Sequence, residues 1–153
     1  MQLRPLLTKL DATANLLQSP LLLAIRLYWG WQFAQTGWGK LMNLDRTTGY
    51  FESLHIPLPK LNAIMAGSTE CVGGVLLALG LFARPAAVPL IGVMAVAYWT
   101  ADRDALNAIV SDPDKFVTAA PFLFLFASLI VLVFGPGKLS LDALLGGKGG
   151  GPK

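Results

Sequence analysis

Two ionisable residues lie deep inside apolar stretches of this chain, Arg26 and Glu70. Arg26 follows the run Leu21-Leu-Leu-Ala-Ile25, and Glu70 is the only charge between Leu61 and Phe82. An arginine and a carboxylate held together in such surroundings can hydrogen-bond an oxygen of a small molecule and relay its protons. They can also do nothing more than fix the register of two helices, and both readings stay open at this stage. Lys40 stands near the end of the first stretch, where its ammonium can snorkel to an interface. Gln32 and Gln35 lie between, and each needs a hydrogen-bond partner if hydrocarbon surrounds it. Cys71 adjoins Glu70 but points about 100° away on a helix. As the only cysteine it excludes an intrachain disulfide and a CxxC pair. His55 is the only histidine, so no metal, haem or iron–sulfur site is expected. No Walker loop, HExxH, GxSxG or strand-preceded GxGxxG is present.

The elements that must carry these residues follow from composition. The chain has 153 residues, 54% of them hydrophobic and 14% charged. A soluble domain carries roughly a quarter charged residues, so too few are present to cover a surface in water. The net charge is +3, but the Lys and Arg form no stripe, so nucleic acid is not an expected partner. Apolar blocks alternate with polar punctuation, and the expected spans are about 20–41, 61–82, 86–101 and 116–134. Each block is about twice the length of a spanning strand and lacks strict alternation, which points to helices. The expected fold is therefore all-α, an integral membrane four-helix bundle with short loops over residues 20–135. Residues 1–19 form an N-terminal segment in which Leu3–Leu17 reads either as an amphipathic helix on the membrane surface or as a polar tail. Residues 136–153 form a tail rich in Gly and Lys. No cleavable leader is expected, because the first block starts late, lacks a small-residue cleavage site and contains Arg26.

Four spans put both termini on one side. Arg4, Lys9, Arg84, Lys138, Lys148 and Lys153 then face Lys40, Arg46, Lys60, Arg103 and Lys115 across the bilayer. The small excess favours cytoplasmic termini. If the first span begins at Pro20 and the second at Leu61, Arg26 and Glu70 differ in depth by roughly 7 Å in a core about 30 Å thick. An Arg26–Glu70 ion pair is expected on that geometry. The helical faces agree: Arg26, Gly30, Phe33, Gly37 and Lys40 share one face of the first span. Glu70, Gly74, Leu77, Leu81 and Arg84 share one face of the second, with Gly67 and Gly73 beside it. The glycines Gly30, Gly37, Gly67, Gly73 and Gly74 are expected to let helices approach closely.

Several segments resemble the DoxX family of small bacterial membrane proteins. They are Arg26-Leu-Tyr-Trp-Gly30 with Phe33, Gly37 and Lys40, then Tyr50-Phe-Glu-Ser-Leu-His-Ile-Pro57. Glu70-Cys-Val-Gly-Gly74 follows with Leu79-Gly-Leu-Phe-Ala-Arg84, and last Gly135-Pro-Gly-Lys-Leu-Ser-Leu-Asp142. The resemblance covers about Leu21 to Leu145 in the family's order. It implies a four-helix protein of the bacterial inner membrane. Relatives named DoxD are subunits of a thiosulfate:quinone oxidoreductase, and other members accompany membrane redox complexes. The resemblance therefore implies an accessory subunit of a quinone-linked redox system, at most a part of an oxidoreductase that bears no cofactor itself. The implied contacts are the bilayer, a quinone, a redox partner protein and a second copy of the chain. Two other functions fit the same residues: a noncatalytic scaffold for a partner protein, and a small solute carrier or channel. Most of the family has no established activity, so the likeness carries fold further than chemistry.

Overall fold

A computed structural model describes residues 3–146. The rest of the expected tail, residues 147–153, lies outside the described residues. The chain is all-helical, with eight helices and no strand among the described residues. They are α1 (Leu3–Met42), α2 (Leu44–Ser53), α3 (Pro59–Leu79), α4 (Ala83–Thr100), α5 (Arg103–Asn107), α6 (Pro113–Val117), α7 (Pro121–Phe134) and α8 (Leu141–Leu144). Four of them pack in cyclic order, α1 on α3, α3 on α4, α4 on α7 and α7 back on α1. Each contributes a large apolar side chain with no exposure to the centre: Phe33, Leu77, Leu90 and Val131.

Boundaries differ from the sequence reading where proline or helix ends intervene. The first block was expected to start at Pro20, yet α1 runs through Pro20 without a break. A proline inside a helix removes one N–H, and the ladder on either side holds the rest. The fourth block was expected as one span from Phe116, but it splits into α6 and α7. Pro121 opens α7, a position where its missing N–H is no loss. Residues 42–60, the connection between the first two expected spans, contain the ten-residue α2. By length and apolarity one helix, α3, meets the requirement of a membrane span. The fourteen-residue α7 is apolar but reaches only about 21 Å. The polar side chains of α1 and the two prolines and arginine in α4 dilute their apolar windows.

Glycine sets how closely α1 and α3 meet. A β-carbon on Gly30 would stand 2.6 Å from the Ala78 nitrogen and 2.7 Å from the Gly74 carbonyl oxygen. One on Gly74 would stand 2.5 Å from the Ala34 nitrogen, and one on Gly37 would collide with the backbone of Cys71. Backbone thus rests on backbone, and no side chain can yield. Gly67 and Gly73 are different: their hypothetical β-carbons meet the ends of Leu41 and Leu90 at 3.0 Å. The α3–α4 turn needs left-handed backbone at Gly80 (φ 67°) and at Phe82 (φ 46°).

These contacts order the glycines by tolerance. Gly37→Ala and Gly74→Ala are each expected to destabilise the protein by about 1–3 kcal/mol through overpacking. Gly39→Ala, with nothing within 4 Å of the new methyl group, is expected to stabilise α1 by up to about 1 kcal/mol. Thermal unfolding in mild detergent checks the ranking.

Candidate functional site

The glycine contacts decide which charges can meet. With Gly37 against Gly67 and Cys71, the last turn of α1 lies beside the middle of α3. Lys40 Nζ there donates to Glu70 Oε2. The Glu70 side chain is 2% exposed and that of Lys40 30%, so the pair joins the interior to the outside. It is the only ion pair among the described residues. The expected Arg26–Glu70 pair does not form. Going the other way along α1, Gly30 faces Gly74 and Ala78, which brings Arg26 to Gly80. Ten residues of α3 separate Gly80 from Glu70, about 15 Å at helical rise. The earlier depth estimate took Pro20 and Leu61 as membrane entry points, whereas close packing at the glycines sets the register.

The Lys40–Glu70 pair lines a cleft of about 500 Å³. Thr36 and Lys40 come from α1, Tyr50 and Phe51 from α2, and Met65, Thr69 and Glu70 from α3. Pro89, Gly92, Val93 and Met94 of α4 and Phe124 of α7 complete most of the wall. The lining is largely hydrocarbon with the Lys40–Glu70 pair and one further acid, Asp102, the composition of a small-molecule site. Gly92 leaves open space where a side chain would point. Entry is bounded by α2, whose junction with α3 carries left-handed backbone at His55 (φ 57°) and Leu58 (φ 46°).

Arg26 forms a separate centre. Its side chain is fully buried, and Nη2 donates to the Leu139 carbonyl at 2.5 Å. Nε and Nη1 have no partner in the protein. The guanidinium lies over Gly80 so closely that any β-carbon there would overlap it. Around it the C-terminal segment is pinned at several points. Asp142 accepts from the Phe82 and Ala83 backbone N–H groups at 2.8 and 3.1 Å, which caps α4. Its own N–H donates to the Gly80 carbonyl at 2.9 Å. Arg84 Nη2 donates to the Val133 carbonyl at 3.2 Å. Lys138 N–H donates to Ser19 Oγ at 3.2 Å.

Of the other residues singled out in sequence, Gln32 is half-buried and lines no part of the cleft. Gln35 is exposed. Cys71 is a free thiol, partly buried. Trp29 packs edge-on against Phe124. Sequence reasoning missed the contribution of α2 and the turn after it: Tyr50 and Phe51 of α2, then Leu54 and Ile56, all line the cleft. The signal was present in the Tyr50–Pro57 motif, but that segment was read as loop. Asp142 was likewise taken as part of a tail.

Double-mutant cycles separate the two centres. Glu70→Gln is expected to lower stability by about 1–3 kcal/mol, because it breaks a bond between charged groups. Adding Lys40→Gln should recover much of that loss. Arg26→Gln and Glu70→Gln should add within about 0.5 kcal/mol, as sites without shared partners do. Chemical unfolding in detergent gives both couplings.

Comparison with known proteins follows the same residues. Residues 21–103 match the DoxX family model, a stretch that holds Arg26, Lys40, Glu70 and most of the cleft. The chain is 36% identical over 112 residues to the inner membrane protein YphA of Escherichia coli K12, covering 69% of this chain and 76% of that one. It is 35% identical over 138 residues to the uncharacterized membrane protein Rv3486 of Mycobacterium tuberculosis H37Rv, covering 82% of each. No solved structure matches the chain at a significant level. The chain belongs to the DoxX family of membrane proteins.

Proposed function

We propose that this protein crosses the bacterial inner membrane four times and holds a lipid-soluble molecule, a quinone, in the cleft beside Lys40 and Glu70. In this reading it serves as an accessory subunit of a membrane redox system. The observation that carries the proposal is the cleft itself, about 500 Å³ and largely apolar, with the Lys40–Glu70 pair and Asp102 in its wall. Apolar walls would take the ring and isoprenoid chain, and the Lys40 ammonium would donate to a ring oxygen. The spans correspond to the apolar parts of α1, α3, α4 and α7. Their outward faces support it, with Trp31, Val72, Val88 and Phe126 each more than half exposed. An apolar surface of that extent is satisfied by lipid and a hazard in water. The name of the Escherichia coli relative supports the same membrane.

A scaffold role has an observation of its own. Residues 7–18 of α1 are exposed throughout. A partner that covered them would make the protein an anchor, with or without a molecule in the cleft.

Gly92→Phe fills the cleft from a position with free space. In neutral detergent, the wild type is expected to retain a soluble quinone analogue in equilibrium dialysis. The variant should bind it at least about tenfold more weakly, a loss near 1.4 kcal/mol, with unchanged unfolding temperature. Equal retention by both overturns the site. For the topology, a fluorescent reporter fused after Lys153 is expected to glow and a periplasm-dependent phosphatase at the same place to stay inactive. The opposite pattern overturns the cytoplasmic placement of the termini.

A further inference from the structure

A second depression, about 430 Å³, lies between the end of α1 and α2. It shares Thr36, Lys40, Tyr50 and Phe51 with the cleft, so the two spaces adjoin at Lys40. Their linings differ in kind. The cleft is mostly hydrocarbon, whereas the groove holds two cations, Lys40 and Arg46, and no acid. Arg46 is exposed and forms no ion pair. An ammonium has three donors, and Glu70 takes one from Lys40. Two cations with donors to spare, at the open end of an apolar space, are complementary to an anion that carries a hydrocarbon chain. The remaining acid of the cleft, Asp102, belongs to the α4 end of the wall and not to the groove.

We propose that cleft and groove form one continuous site for an amphiphile with an anionic head. The chain lies in the cleft, and a carboxylate or phosphate sits between Lys40 and Arg46. This rests on the cleft being a ligand site, and it adds a head-group position that a neutral quinone leaves unused. Lys40 then bridges Glu70 and the head, so the buried carboxylate orients the residue that grips the ligand.

The test compares dodecanoate, dodecyl phosphate and dodecanol. Each is measured by equilibrium dialysis against the protein in neutral maltoside, at a pH where both acids are ionised. At least one acid is expected to bind about tenfold or more tighter than the alcohol, the size of a charge-assisted hydrogen bond. The tighter acid names the head chemistry. High salt should narrow the gap, and so should Arg46→Gln, a surface substitution that leaves the bundle intact. If acids and alcohol bind equally, the head-group position is wrong while the cleft stands. If the acids keep their full advantage in Arg46→Gln, the anion does not sit in the groove. If neither the alcohol nor a quinone analogue binds, the cleft reading fails and this inference fails with it.

Discussion

At Gly30 and again at Gly37 the backbone of α1 lies directly on the backbone of α3. In lipid, helices gain nothing from hiding apolar surface from water, so close contact of this kind is what holds them. It also removes freedom to slide. A shift of either helix would drive a bulky neighbour into the space a glycine leaves. Everything charged in the interior inherits its position from that register. Lys40 is set beside Glu70, and Arg26 is set beside the left-handed glycine that ends α3. The cleft inherits it too, because its charged wall is built from the two helices that the glycines align.

The two charged centres are physically unlike. At Arg26 the side chain is sealed inside, and the protein's own C-terminal segment covers it. Glycine at position 80 is required there for room as well as for its backbone angle. That arrangement uses charge to fasten a segment in place. At Lys40 and Glu70 one partner is sealed and the other reaches the exterior. Such a pair can exchange partners without unfolding anything, which is the property a binding site needs.

Much of this was legible in the residues. The small-residue face of α1 and the equivalent face of α3 follow from helical spacing, and both carry the buried charges. The presence of Lys40 on the same face as Gly37 was visible as well. The pairing was not, because spacing along one helix says nothing about its vertical position against another. That position depends on backbone contacts at the glycines, which no spacing within α1 or α3 alone reveals. The helix over residues 44–53 was hidden by polar composition: Asp45, Arg46, Gly49 and Glu52 look like loop. Its two aromatic residues join the cleft wall only once α2 is laid against α3. Asp142 was hidden for the opposite reason, since a capping carboxylate so distant from its helix leaves no local pattern.

That distance has a consequence for how the protein is made. The first two backbone donors at the start of α4 are satisfied by a carboxylate 60 and 59 positions further along the chain. While α4 is being synthesised, no local side chain serves them, because Phe82 stands where a helix usually places Ser, Thr, Asp or Asn. The start of α4 therefore stays uncapped until Asp142 has been made. Closure of the C-terminal segment over Arg26 is then a late event in assembly. A chain interrupted before Leu139 would carry an uncapped helix and a guanidinium without its carbonyl partner.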